Sequence, residues 1–165
     1  MTSAADRREA GYTLPELLAV LGLIAVAAAV AWPRAADLLQ RAELSASTRA
    51  LLSDIRWART AAQTQGRGFE MRFDPPRSLY TIGRASGPPQ RLVRLPGTLS
   101  FGSPVDPEAD GVTFRDNAIT FSPRTSLQNS FGSVVLRTPT GLARKITVNI
   151  AGYASVAVWD GTQWR

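Results

Sequence analysis

The sequence contains neither histidine nor cysteine. Without histidine there is no Ser-His-Asp or Cys-His catalytic arrangement, no His-bearing zinc site and no histidine pH switch. Without cysteine there is no disulfide, no thiolate nucleophile and no iron–sulfur cluster. Lysine is almost absent too, because Lys145 is the only lysine among 19 basic residues, which outnumber 13 acidic ones and leave a net charge of +6. This excess suits an anionic partner, but it also suits ordinary surface solubility.

Sequence motifs typical of enzymes are missing as well. The chain has no Walker loop, no Gly-x-Ser-x-Gly elbow and no metal-ligand spacing, so we expect no enzymatic activity, no cofactor and no metal site. One segment is similar to the start of an EF-hand loop, since Asp106–Gly111 has oxygens at positions one, three and five and glycine at six. Asn117 replaces the glutamate expected at position twelve, which favours a simple acidic turn.

A long apolar run lies near the N-terminus, although the mean hydropathy of the whole chain is only −0.07. Leu17–Trp32 contains no charged or strongly polar side chain, and the only charge in the 21 residues from Tyr12 to Trp32 is Glu16. An α-helix needs about 20 apolar residues to cross a bilayer. The run therefore predicts a transmembrane helix.

Three interpretations of this segment compete. Arg7 and Arg8 before it, and the small-x-small pattern at Ala29–Ala31, are typical of a cleavable secretory signal. The second interpretation is a plain signal anchor, and the third is a segment retained after cleavage on its N-terminal side, just before Tyr12. Glu16 favours the third, because a carboxylate near the end of a membrane helix costs on the order of a few kcal/mol and usually has a partner.

The residues around Glu16 carry a resemblance. The segment Gly11-Tyr12-Thr13-Leu14-Pro15-Glu16-Leu17-Leu18 resembles the N-terminal processing motif of type IV pilins and type II secretion pseudopilins. The resemblance implies that a prepilin peptidase cuts after Gly11, that the new terminal residue Tyr12 is N-methylated, and that Glu16 is the fifth residue of the mature chain. Tyr12 replaces the phenylalanine that is common in the family, and the glycine–glutamate spacing is unchanged.

Simple electrostatics supports this spacing. Cleavage after Gly11 creates a positive α-amino group at Tyr12, which requires a counter-ion among packed membrane helices. Glu16 lies about one helical turn from that amine in the same subunit, and it can also meet the amine of a staggered neighbour. The family resemblance favours the pairing between subunits.

The helical pattern continues beyond the apolar run. Pro33 ends the run and is expected to kink the helix, because proline lacks the N–H of one helical hydrogen bond. An apolar stripe then recurs at steps of four and three, while polar residues such as Asp54 and Arg56 are predicted on the opposite face. Gly66 and Gly68 end the pattern. The stripe comprises Leu44, Thr48, Leu51, Ile55, Ala58 and Ala62.

The rest of the chain predicts short antiparallel strands, because alternating apolar segments are separated by turns rich in proline and glycine. The fold class predicted is therefore α+β, with one long N-terminal helix packed on a small antiparallel β-sandwich or sheet. The predicted strands are Phe69–Phe73, a segment at Tyr80 and Ile82, Arg91–Leu95, Val112–Arg115, Ala118–Phe121, Ser133–Arg137, Arg144–Ile150 and Ser155–Trp159.

This β-rich body resembles the domain shared by the H-type minor pseudopilin and FimT-type minor pilins, the GspH/FimT family. The resemblance is carried by Ala58-Arg59 near the end of the helix, Phe69–Phe73, Ile119–Pro123 and Lys145–Gly152. The implied organisation is a prepilin leader (1–11), a transmembrane and assembly segment (12–33), its amphipathic continuation (34–66) and a periplasmic domain (67–165).

The resemblance implies a minor pseudopilin of a type II secretion system, a structural subunit of the periplasmic pseudopilus that helps drive protein secretion. The alternative is a FimT-type minor pilin of a type IV pilus with a role in DNA uptake. The implied partners are other pilin or pseudopilin subunits and the prepilin peptidase. The implied location is the inner membrane, crossed once, with the C-terminal domain in the periplasm.

DNA binding in FimT-type minor pilins uses a glycine followed by arginine, any residue and arginine near the C-terminus. This chain has Gly152-Tyr153-Ala154-Ser155 at that place, so both arginines are missing. Arg137, Arg144, Lys145 and Arg165 remain as weak candidate contacts to an anion such as a DNA phosphate. Alternation along a strand predicts that Arg144 and Lys145 lie on opposite faces.

The four tryptophans have different expected roles. Trp32 lies where a membrane-interface aromatic is expected. Trp57 fits either the core or a contact between subunits. Trp159 and Trp164 are expected to cap the sheet or to form a patch that faces a partner, with core packing favoured for Trp159.

Overall fold

This computed structural model describes residues 14–106, 108–124 and 131–165, without the side chains of Val30 and Pro33. The first element in the described part of the chain is a long α-helix, α1. The helix runs from Leu14 to Gln65 and comprises 52 residues. The chain divides into two compact units, residues 1–39 and 40–165, and α1 contributes residues to both.

The helix ends where its sequence changes to glycine. Gly66, the residue after the last helical position, has a φ of +62°, in the left-handed region that glycine adopts without a steric penalty. This confirms the predicted end of the helix.

Within the described residues after α1, eight antiparallel strands form two four-stranded sheets. The first sheet has the order β3-β2-β1-β5 and the second the order β4-β6-β7-β8. A 3₁₀ turn follows β1 and another precedes β5. The strands are β1 (Phe69–Asp74), β2 (Leu79–Arg84), β3 (Pro89–Arg94), β4 (Ser100–Phe101), β5 (Ala118–Phe121), β6 (Gly132–Arg137), β7 (Ala143–Val148) and β8 (Ala154–Val158).

Seven of these strands lie where alternation predicts them, and two details differ. The predicted strand Val112–Arg115 is wrong, because only Val112 forms an isolated bridge, to Val134, and a 3₁₀ turn begins at Arg115. The short strand β4 is absent from the prediction, since two residues are too few to show an alternation.

The core of the second unit lies where the apolar stripe of α1 meets both sheets. All six predicted stripe residues are buried. Thr48 is accommodated among them because its hydroxyl donates to the carbonyl of Leu44 at 2.6 Å. The prediction for Asp54 is wrong: this residue is buried, with only 6% of its surface exposed. The strands contribute, among others, Phe69, Met71, Ile82, Phe121, Val134, Leu136, Ile146 and Val148.

Phe73 joins the two sheets within this core. Its ring centroid lies 5.8 Å from that of Phe101 in β4 and 6.1 Å from that of Tyr80 in β2. Phe114 stacks on it with the same 5.8 Å separation. Such aromatic pairs contribute about 0.5–1.5 kcal/mol each beyond the area they bury.

A close approach of two backbone segments explains why residue 111 is a glycine. Its φ is +72°, and a Cβ at this position would lie 2.4 Å from the nitrogen of Gly102. Only glycine fits both the conformation and the space.

Candidate functional site

The first part of α1 is an apolar surface. By length and composition this helix is a candidate membrane span, with a mean hydropathy of 2.3 over its most apolar 18 residues, none of which is buried in protein. A bilayer or neighbouring helices are needed to cover such a surface. Its large apolar side chains are 51–74% exposed: Leu14, Leu17, Leu18, Val20, Leu21, Leu23, Ile24 and Val26.

Glu16 is the charged residue of this surface. It lies in the first turn of α1, it is exposed, and no other described residue forms an ion pair with it. Its expected counter-ion at Tyr12 and the expected cleavage position at Gly11 lie outside the described residues, so cleavage, methylation and the ion pair stay predictions.

The end of the apolar surface carries Trp32 and Pro33. The Trp32 side chain is 80% exposed, as a membrane-interface residue would be in a chain without its bilayer. The helix continues through Pro33. The kink predicted there remains a prediction.

A buried polar cluster joins α1 to the first sheet. The Tyr80 hydroxyl donates to Asp54 Oδ2 at 2.7 Å, and Arg91 Nη1 donates to Asp54 Oδ1 at 2.8 Å. Burial, and then the hydrogen bond to Asp54, raise the pKa of Tyr80 well above its ordinary value, so the phenol stays protonated. Only 1% of Tyr80 is exposed. A substrate cannot reach this phenol, and the cluster therefore fastens the helix to β2 and β3.

The four predicted anion contacts lie at the C-terminal end of the fold, and three of them already have partners. Arg137 Nη1 donates to the Ser103 carbonyl at 3.1 Å. Arg165 Nε lies 2.8 Å from Asp160 Oδ2. Lys145 Nζ lies 4.5 Å above the centre of the Trp164 ring, a cation–π contact.

Asp160 is held in its charged form by the turn that it starts. The backbone N–H of Gln163 and then that of Thr162 hold the pKa of the Asp160 carboxyl below its usual range. Arg165 is thus paired with a carboxylate whose charged form the turn stabilises. Arg144, the fourth candidate, is the neighbour of Lys145 in β7 and is half-buried. These cations do not form a continuous set of free charges.

The tryptophans of the second unit differ from their predictions. Trp159 is only half-buried, so its assignment to the core is wrong: its ring pairs with that of Trp164 at 5.2 Å in the C-terminal turn. Trp57 contacts the core, and its predicted contact between subunits stays a prediction. Its ring edge meets the core residue Phe69 at 5.6 Å, while 49% of its surface remains exposed.

Two carboxylates of the acidic segment, Asp106 and Asp110, accept hydrogen bonds from nearby backbone N–H groups. Asp106 Oδ1 accepts from the backbone N–H of Glu108, and Asp110 Oδ1 accepts from that of Val112, both at 3.0 Å. Among the residues that the structure describes, no group of three or more acidic side chains is arranged to hold a metal ion.

Comparison with known proteins identifies the fold. The structure is similar to the type IV minor pilin FimU of Pseudomonas aeruginosa, with a TM-score of 0.54, 19% identity and coverage of 76% of this chain and 94% of FimU. It is equally similar to the minor pseudopilin EpsH from the type 2 secretion system of Vibrio cholerae, with a TM-score of 0.53, 13% identity and coverage of 70% and 97%. No protein-family model and no curated protein matches the sequence. The chain therefore has the pilin-like fold of minor pilins and minor pseudopilins, one long N-terminal helix packed on antiparallel sheets.

Proposed function

We propose that this chain is a minor pseudopilin of a type II secretion system, of the H-type, and serves as a structural subunit of a periplasmic pseudopilus. One observation carries the proposal: an exposed apolar helical segment with a single carboxylate continues, in one helix, into a β-rich domain with the fold of minor pilins and pseudopilins. In this role the chain is a building block and not an enzyme.

The apolar segment anchors the chain in the inner membrane, with the second unit in the periplasm. A prepilin peptidase removes the leader after Gly11, and Tyr12 is methylated. The amine at Tyr12 and the carboxylate of Glu16 are both costly to leave unpaired in hydrocarbon, by about a few kcal/mol each. Pairing Glu16 of one subunit with the amine of another satisfies both charges and sets the stagger between neighbouring helices.

The proposal is tested by substituting Glu16 in the native host. Glu16→Ala is expected to leave leader cleavage intact, because the cleaved bond precedes Tyr12, but to lower incorporation into the filament fraction about tenfold or more. Leu18→Ala is the matched control, since it removes one exposed apolar side chain without changing charge. Cleavage is followed by the mass of the chain and incorporation by immunoblot. Normal incorporation of the Glu16→Ala chain would contradict the counter-ion role.

The alternative is a FimT-type minor pilin of a type IV pilus. The similarity to FimU supports it as much as the similarity to EpsH supports the pseudopilin, since the two TM-scores are nearly equal. Deleting the gene separates the two: loss of a secreted protein supports the pseudopilin, and loss of surface pili supports the minor pilin. A role in DNA uptake is less well supported, because Arg137, Lys145 and Arg165 are engaged by neighbours.

A further inference from the structure

A pocket of about 430 Å³ opens between the last turns of α1 and the loop that joins β7 to β8. The helix contributes Arg56, Arg59, Thr60 and Gln63, whose spacing of three and four places them on one face. The loop contributes Tyr153. Among the described residues, those that line the pocket include no acidic side chain, and the two arginines give it two positive charges.

Arg59 contacts the ring of Tyr153. Its guanidinium carbon lies 4.2 Å from the centre of that ring, a cation–π contact. Its Nε is buried and, within the described part of the chain, has no hydrogen-bond partner. Neither Arg59 nor Arg56 forms an ion pair with a described residue. Both guanidinium groups are therefore without an anionic partner among the described residues.

The surroundings of the pocket are typical of a protein interface. Arg56 and Thr60 are exposed on the helix, the Trp57 beside them is half-exposed, and 61% of Tyr153 is exposed. Arginine, tryptophan and tyrosine are the residue types that dominate the binding energy of protein interfaces. Here Arg56, Arg59 and Tyr153 line the same pocket.

A single anionic group fits this geometry better than a polyanion does. Binding of single-stranded nucleic acid needs a positive groove that follows several successive phosphates. Three of the four candidate anion contacts, Arg137, Lys145 and Arg165, are engaged by Ser103, Trp164 and Asp160 and do not offer such a groove. Two guanidinium groups without such a groove match the planar, two-oxygen geometry of one carboxylate.

We propose that the pocket formed by Arg56, Arg59, Gln63 and Tyr153 binds a carboxylate from the surface of another filament subunit, a glutamate or aspartate side chain. This inference rests on the proposed function, because it names a contact by which the subunit joins its neighbours. The contact belongs to the β-rich unit and is separate from the membrane pairing of Glu16.

The first experiment measures binding to the full-length chain in detergent micelles. The probe is a fluorescent peptide that contains three consecutive glutamates, compared with the same peptide containing three glutamines. The glutamate peptide is expected to bind at least tenfold more tightly, and the double variant Arg56→Gln/Arg59→Gln is expected to abolish that preference. Arg67→Gln/Arg84→Gln is the matched control, because those two arginines line a different pocket, and it is expected to keep the preference.

A second variant keeps the test valid if the double variant unfolds. Gln63→Glu places a carboxylate in the pocket without removing either arginine, and it is expected to weaken binding of the glutamate peptide at least tenfold. Equal binding of the two peptides by the wild-type chain would overturn the proposal. So would a single-stranded oligonucleotide that binds more tightly than the glutamate peptide and depends on Arg56 and Arg59, since the site would then recognise nucleic acid.

The second experiment measures incorporation into filaments in the host. Arg56→Gln/Arg59→Gln is expected to lower incorporation at least tenfold, and the control pair is expected to change it less than twofold. Normal incorporation of the double variant would refute the proposed role of the pocket and leave the proposed function intact. Absence of the wild-type chain from filaments overturns the proposed function instead, so the two failures are distinguishable.

Discussion

The buried cluster of Asp54, Tyr80 and Arg91 gives a sharp test of how the helix is held on the first sheet. Asp54→Ala removes the acceptor of both hydrogen bonds, at 2.7 Å from the Tyr80 hydroxyl and 2.8 Å from Arg91 Nη1. Tyr80→Phe removes only the hydroxyl and leaves the carboxylate paired with Arg91.

The two partners of Asp54 contribute unequally. Tyr80 is fully buried, so its hydroxyl has no acceptor once Asp54 is gone, which costs about 1–3 kcal/mol. The Arg91 side chain is 58% exposed and regains water, so its pairing contributes no more than about 1 kcal/mol. Asp54→Ala should therefore lower the free energy of unfolding by roughly 1–4 kcal/mol, and Tyr80→Phe by about 1–2 kcal/mol.

The assay is equilibrium denaturation of the full chain in detergent micelles, with both single variants and the double variant. The double variant should be about 1–2 kcal/mol more stable than the sum of the single effects predicts, because the hydroxyl and its acceptor are then removed together. Additive effects within about 0.3 kcal/mol would refute the direct coupling of Asp54 to Tyr80.

Three further predictions concern the same unit and use the same denaturation assay. Folding raises the pKa of Tyr80, so its protonated hydroxyl stabilises the folded state. This contribution to the free energy of unfolding is complete below the ordinary tyrosine pKa near 10 and is lost as the pH rises above it. Tyr80→Phe should flatten this alkaline decrease in stability, and an unchanged pH profile would contradict it. Leu51→Ala should cost about 2–5 kcal/mol because the side chain is fully buried, whereas Leu92→Ala, on an exposed residue, should stay within about 0.5 kcal/mol. Gly111→Ala should cost more than about 2 kcal/mol because of its close contact and positive φ, while Gly97→Ala, with no atom within 4 Å, should change little.

Hydrophobic periodicity was sufficient to predict the helix and most strands. The apolar stripe of α1 repeats every three to four residues because one face packs on the sheets, and its members are buried as predicted. In the segment 112–115 alternation predicted burial correctly, since Val112 and Phe114 are buried and the residues between and after them are exposed. It did not predict the backbone, because alternation reports burial and not hydrogen bonding. The positive φ of Asp116 and of Asn117 places a turn directly after this segment.

The polar features were harder to read from the sequence. The charge of Asp54 favours the outer face of the helix, but this residue lies three residues after Leu51 and four before Ala58, both of which are buried. This spacing places Asp54 on the buried face and is the sequence signal for its burial. The contact between Arg59 and Tyr153 joins positions far apart along the chain, and no local pattern indicates it.

The mass of the mature chain, purified from its native host, tests the central claim most directly. If the chain is a pilin-like subunit, its sequence begins at Tyr12, the terminal amine carries one added methyl group, and Glu16 is retained as the fifth residue. A chain that begins at Trp32, as ordinary signal cleavage after Ala31 would leave it, would contradict the account, because the apolar segment and its carboxylate would then be absent from the mature protein.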